Sequence, residues 1–219
     1  MSVLAVGILL YELRVHGEKT IRVLMTGITI AGVLSGLILF QFWVASAGHG
    51  QTSLYLIIVP FAYLGLFYAF KYYRGGLSDN QTGLLLATAT CLLGSALGIF
   101  FPIAFTVILL LCLAVLDLLL IETNLLERTV GLKRLEGLFT ATTIPLAEFS
   151  IGLGDILAYS ILVTTAYLNG GIYVATASFL LIVLGVFLTF NIARGRQKVA
   201  GLPIPVLLGL APTILTLLR

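Results

Sequence analysis

The chain has 219 residues, 60% hydrophobic and 10% charged, with a formal net charge of +3 and a mean hydropathy of +1.15. A soluble domain carries about 25% charged residues, so this composition excludes a water-soluble globular protein and fits a chain dissolved in lipid. Nucleic-acid binding needs a basic face and none is visible. Cys91 and Cys112 sit in apolar runs without CxxC or Cys/His spacing, which argues against a disulfide or metal framework.

A spanning helix takes about 20 mainly apolar residues. In chain order, a short apolar start at 1–13 precedes predicted helices at 21–47, 53–73, 83–100, 102–121, 148–168, 172–193 and 202–218. The breaks carry turn chemistry: Ala47-Gly48-His49-Gly50, Arg74-Gly75-Gly76, Asn169-Gly170-Gly171, and the stretch from Gly195 to Gly201. Pro102 suits the first turn of a helix, where a missing N–H costs nothing. The expected fold class is therefore all-α: a polytopic transmembrane helix bundle of about eight segments, the first one short. It forms a single membrane domain over 1–219, with N-terminal helices in 1–100 and the remaining helices in 101–219.

Charge placement supports that count. If every run crosses, the loops alternate sides, and one side receives Arg14, Lys19, Arg22, Lys71, Arg74, Arg128, Lys133, Arg134, Arg194, Arg196 and Lys198. The other side receives only Arg219 out of the 12 cations. Such asymmetry marks the cytoplasmic face of an integral, multi-pass membrane protein; both termini are then expected outside. Trp43, Tyr68, Tyr72 and Tyr73 suit the interfacial aromatic belts. His16 and His49 fall on opposite sides, so no shared metal site is expected. The segment Glu122–Ala147 mixes charges with Leu125, Leu126, Val130, Leu132, Leu135 and Leu138, a pattern for an amphipathic stretch in the interface.

Two residues break the apolar pattern where breaking it is most expensive. Asp117 lies in the run Ile108–Ile121 and Asp155 in Ile151–Leu168. A carboxylate at the bilayer centre costs roughly 2.5–3.5 kcal/mol on insertion scales, so each must face the protein interior or a water-filled cavity. Their helices are consecutive and antiparallel. At about 1.5 Å per residue the two aspartates sit roughly 7 and 10 Å from the inner boundary, close enough in depth to face one another. Asp155 closes Gly152-Leu153-Gly154-Asp155, whose two glycines leave room for another backbone or a substrate. Tyr159, one turn on, shares the face of Asp155 and reads either as a hydrogen-bond partner that supports it or as a packing aromatic. Glu148 reads as an interfacial charge.

The segment Gly152-Leu153-Gly154-Asp155-Ile156-Leu157-Ala158-Tyr159-Ser160 resembles the GxGD segment of presenilins and signal peptide peptidases, the intramembrane aspartyl proteases. Upstream, Phe101-Pro102 followed by Leu110 to Asp117 is similar to the family helix bearing the first catalytic aspartate. Downstream, Ala200-Gly201-Leu202-Pro203 falls where the family carries Pro-Ala-Leu, at the start of the last helix. Leu116 stands where the family usually has Tyr, and of the Pro-Ala-Leu motif only the Leu and the following Pro are kept, as Leu202 and Pro203. The resemblance covers roughly Leu84 onward, and the short linker between the aspartate helices is most similar to archaeal homologues. It implies a presenilin-like bundle hydrolysing peptide bonds within transmembrane helices or signal-peptide remnants. Asp117 and Asp155 would be catalytic, and Gly152, Leu153, Gly154, Gly201, Leu202 and Pro203 would line the substrate. It further implies no cofactor or metal, no obligate partner subunits, and transmembrane-helix proteins or peptides in the bilayer as partners.

The residues taken alone leave two other readings open. A proton-coupled transporter would use the same two acids, although its usual internal repeat is not found. A catalytically inactive relative would bind helices without cleaving them.

Overall fold

The computed structural model describes residues 2–46, 51–122, 143–146, 149–193 and 201–217, with side chains described for 20–42, 59–78, 80–119, 151–192 and 201–217. These residues are almost entirely helical. The elements are α1 (Ser2–Ser46), α2 (Gln51–Tyr73), α3 (Asp79–Phe100), α4 (Ile103–Glu122), β1 (Thr143–Leu146), β2 (Phe149–Gly152), α5 (Leu153–Ala193) and α6 (Pro203–Leu217). Among the described residues three helices are long and apolar enough to cross a membrane, at Thr20–Phe42, Asn80–Phe100 and Leu153–Ile192. Two shorter apolar helices run over Ile103–Leu119 and Pro203–Leu217.

Local chemistry accounts for the helix ends. α2 stops where Gly75 takes φ +72°: its N–H donates to the Tyr72 carbonyl at 2.9 Å and Gly76 N–H donates to Lys71 at 3.0 Å. This paired closure needs a left-handed residue, which glycine adopts without a Cβ clash. α3 begins behind Ser78, whose backbone N–H donates to Gln81 Oε1 at 3.4 Å, half of a capping box. α5 is two helical limbs, 153–170 and 172–193, broken at Gly171 with φ 73° and ψ −170°, within the Asn169-Gly170-Gly171 turn expected from sequence.

Three expectations need correction. First, no turn separates 1–13 from 21–47, because α1 is continuous over 45 residues. The intervening Glu12-Leu13-Arg14-Val15-His16-Gly17-Glu18-Lys19 has no proline, and its Glu, Leu, Arg and Lys are good helix formers, so polarity there does not interrupt the backbone. The chain does not reverse between these stretches, so the eighth segment and the outside N-terminus that depended on that reversal lose their basis. Second, the helix bearing Asp155 starts at Leu153 rather than at 148, behind an antiparallel hairpin that pairs Thr143 with Gly152 and Leu146 with Phe149. Pro145 lacks the N–H that a helix interior would use, and Thr143, Ile144 and Ile151 are β-branched. Third, the expected amphipathic stretch ends in strand β1; its residues 123–142 lie outside the described residues, as does Glu148.

Close contacts set the helix directions. Gly65 of α2 meets Val33 of α1, and Phe61 meets Gly36, so these helices are antiparallel. α3 runs parallel to α1, with Gly32 against Ala89 and Gly36 against Leu92. The first limb of α5 runs parallel to α3: a Cβ on Gly94 would lie 2.7 Å from the Leu157 carbonyl oxygen, and one on Gly98 2.8 Å from that of Ile161. Leu162 and Ile182 both touch Gly209 of α6, so the two limbs fold back on each other about Gly171. The described helical limbs thus alternate in direction along the chain. Arg22 reaches Gly75, which brings Arg22 and Arg74 to one end.

The packing follows the rules of a lipid solvent. Between apolar helices in hydrocarbon there is little hydrophobic drive, so small residues that let backbones close up carry the association. The interior cluster is modest: Leu110, Ala158, Leu162, Ile182, Leu202, Val206 and Leu210, with a second group of Met25, Leu86 and Leu153. Large apolar side chains face outward instead, such as Leu84 at 72%, Leu215 at 65% and Phe187 at 62% exposure. A water-facing protein rarely presents so continuous an apolar surface.

Candidate active site

The site forms where α4, the first limb of α5 and the start of α6 converge. Thr165 Oγ1 of α5 donates to Thr106 Oγ1 of α4 at 3.5 Å. That pairing, continued down two antiparallel helices, sets Asp117 level with 154–155. Both carboxylates lie against the 201–202 segment, Asp117 through a hydrogen bond and Asp155 through close approach to Gly201. Both aspartates are partly buried.

α6 supplies the third wall through its backbone. The Leu202 N–H donates to Asp117 Oδ2 at 3.0 Å. Leu202 caps the helix, since its carbonyl accepts the first bond from Val206 N–H at 3.0 Å. A carboxylate at a helix N-terminus is favoured by the unsatisfied donors and by the dipole. Pro203 and Pro205 carry no N–H, so the first turn of α6 has few donors and Leu202 holds the one that meets Asp117. The Tyr159 hydroxyl donates to the Gly201 carbonyl at 3.1 Å. It does not bond Asp155, one of the two roles the sequence left open for it.

The sequence-predicted site residues divide by what they present. Gly152 and Gly201 flank Asp155: a Cβ on Gly201 would stand 2.8 Å from Asp155 Oδ2, and one on Gly152 3.3 Å. A Cβ on Gly154 would meet nothing within 4 Å, so that glycine faces open space beside the aspartate. Leu153 is buried with Met25 and Leu86 and offers no side chain to a substrate. Leu202 and Pro203 are buried too, Leu202 within the main interior cluster. What these residues bring to the site is backbone.

Two features escaped the sequence reading. The hairpin was signalled by Thr143-Ile144-Pro145 and by Phe149-Ser150-Ile151-Gly152, where β-branched and aromatic residues accompany a proline that disfavours helix. The Tyr159 bond to Gly201 had no local signal, since 42 residues separate the partners. Among the described residues no three His, Cys, Asp or Glu side chains converge as a metal site would require. No protein-family model matches the chain, and no curated protein matches it.

Proposed function

We propose that this chain is a multi-pass intramembrane aspartyl protease of the presenilin and signal peptide peptidase kind, cleaving peptide bonds within transmembrane helices or signal-peptide remnants. The observation that carries this reading is that Asp117 and Asp155, from two antiparallel apolar helices, both lie against the 201–202 segment at the N-terminus of α6. Two partly buried carboxylates brought to one junction of an apolar bundle are costly to keep there, which supports a working role for the pair.

The chemistry follows from the pair. Two carboxylates drawn together on a bound substrate would not both ionise, so they would share one proton. The ionised member takes a proton from water as that water attacks the scissile carbonyl carbon. The protonated member donates a hydrogen bond to the carbonyl oxygen, and the roles reverse as the tetrahedral intermediate collapses and the amine leaves. A helical substrate must first unwind, because its carbonyls are engaged in i→i−4 bonds. The two-stranded sheet leaves the second edge of β2 without a strand partner among the described residues. That edge leads through Gly152 directly to Asp155, and an unwound segment would add to it as a strand. Gly154, with open space beside it, leaves room for the substrate backbone.

In the topology proposed with this function, the end carrying Arg22 and Arg74 faces the cytoplasm, by the positive-inside rule. The partners are membrane helices and the bilayer itself. The test is cleavage of a labelled single-span peptide by purified protein in bilayers, beside Asp117→Asn and Asp155→Asn, with products identified by mass. Cleavage inside the span that either substitution abolishes supports the reading. Helix binding without cleavage over several substrates replaces it with an inactive relative, and solute uptake driven by a pH gradient replaces it with a transporter.

A further inference from the structure

The Gly201 carbonyl that accepts from Tyr159 at 3.1 Å and the Leu202 N–H that donates to Asp117 at 3.0 Å belong to one peptide bond. That unit is planar and resists rotation about its C–N bond, so its oxygen and its hydrogen point in fixed, opposite directions. We infer that Tyr159 is a positioning residue for Asp117, acting across the chain through the 201–202 peptide. The inference rests on the protease reading for its kinetic consequence, but its geometric content stands apart from it.

Three constraints make the peptide a rigid link. Tyr159 lies on α5 one turn beyond Asp155, so the donor is anchored on the element that carries the second aspartate. Gly201 has no side chain, and its Cα packs against Asp155 so closely that a Cβ would stand 2.8 Å from Oδ2. Leu202, immediately following, is buried at 8% exposure in the cluster with Leu110, Ala158 and Val206, so the peptide cannot swing toward solvent without withdrawing that side chain. A hydrogen bond to the carbonyl also polarises the amide and strengthens its N–H as a donor. Tyr159 therefore both orients the donor that Asp117 receives and reinforces it. Without the hydroxyl, the 201–202 peptide keeps its place on one side only, and the Asp117 carboxylate loses the contact that fixes its angle to Asp155.

This assigns Tyr159 a different partner from the one its place on the helix suggests. It stands one turn from Asp155, yet its effect is exerted on Asp117, 42 residues upstream in sequence, by way of α6.

The experiment compares wild type, Tyr159→Phe, and protein with 3-fluorotyrosine at 159, which keeps the hydroxyl and the shape. Each is made with a carbon-13 carbonyl at Gly201 and a nitrogen-15 amide at Leu202. In Tyr159→Phe the labelled Gly201 carbonyl band moves to higher frequency and the Leu202 amide proton moves upfield. The fluorotyrosine protein, a slightly stronger donor, moves the carbonyl band the other way. Asp117→Asn shifts the Leu202 amide with little change at the ring of Tyr159. On a cleaved single-span peptide, Tyr159→Phe lowers kcat by ~10- to 100-fold, the scale of a misplaced catalytic group, with KM within about twofold, and fluorotyrosine retains the rate. An unchanged Gly201 band in Tyr159→Phe overturns the inference, as does a Leu202 amide indifferent to Tyr159, or equal loss of kcat with Phe and with fluorotyrosine. If wild type cleaves nothing, the protease reading fails, while the two spectroscopic readouts still decide whether the link exists. If Tyr159→Phe does not fold, the fluorotyrosine shift at the Gly201 carbonyl decides it.

Discussion

The first limb of α5 makes two interfaces, and they are built on opposite principles. Toward α3 it packs against Gly94 and Gly98, one helical turn apart, where backbone meets backbone and the nearest side chains are the small Ser160 and Thr164. Toward α4 and α6 it presents Asp155 and Tyr159 to a carboxylate, a carbonyl and a glycine. The first interface gains its stability from closeness alone, since in hydrocarbon only packing and hydrogen bonds favour one helix contact over a lipid contact. The second gives up packing for polar groups whose desolvation must be met by partners. A rigid seam on one face is what allows a polar, partly open junction on the other to keep its geometry.

That contrast can be broken from either side. The largest effect belongs to the junction: Asp117→Asn or Asp155→Asn should lower kcat for a single-span peptide by ~10³-fold or more, as for members of a catalytic unit, while circular dichroism and the unfolding midpoint stay near wild type. A large loss of stability instead would mean that the aspartates hold the bundle together. Next comes the seam. Gly98→Leu forces a side chain into the space held by the Ile161 carbonyl and Thr164; overpacking of this kind should destabilise by about 2–3 kcal/mol, read from denaturant unfolding in detergent, with activity falling only as the folded fraction falls. Stability unchanged in that variant would show that α3 and α5 do not pack so closely.

A smaller change separates the two interfaces more sharply. Gly201→Ala places a Cβ 2.8 Å from Asp155 Oδ2, so the carboxylate or the backbone must give way. The expected outcome is roughly tenfold lower kcat from misplacement, with the unfolding free energy within about 1 kcal/mol, because the atom that must yield is the end of a side chain rather than backbone. The same alanine at Gly94, where the obstacle is the Leu157 carbonyl, should reverse the pattern, costing more stability than rate. The smallest effect is expected at the outward surface: Phe187→Ala, at 62% exposure, should change stability by no more than about 0.5 kcal/mol. A larger loss there would identify a packing partner against that face.

Much of this architecture was legible in the residues. The apolar runs and glycine turns at 74–76 and 169–171 marked helix ends, because Gly75 and Gly171 take the left-handed conformation there, and glycine adopts that conformation most easily. Two aspartates in apolar runs were conspicuous for the cost of placing them there. Errors arose where a pattern had two physical solutions. The polar stretch at 14–20 reads as a loop by charge and as helix by propensity, and nothing in it breaks a backbone. The stretch at 143–152 reads as the approach to a helix by hydrophobicity, yet Pro145 and its β-branched neighbours make it a hairpin.

Composition and pattern by themselves determined that the chain is helical and lipid-compatible, that Asp117 and Asp155 are the residues to explain, and that the glycines around Asp155 leave space. These are local properties, carried by transfer energies and backbone preferences that each residue has alone. Only the tertiary structure decided that the 201–202 peptide comes between the two aspartates, that Leu153 and Leu202 turn into the interior, and that Tyr159 bonds a carbonyl on another helix. Those outcomes depend on the relative height and rotation of three helices, which are set by contacts between residues far apart in the chain.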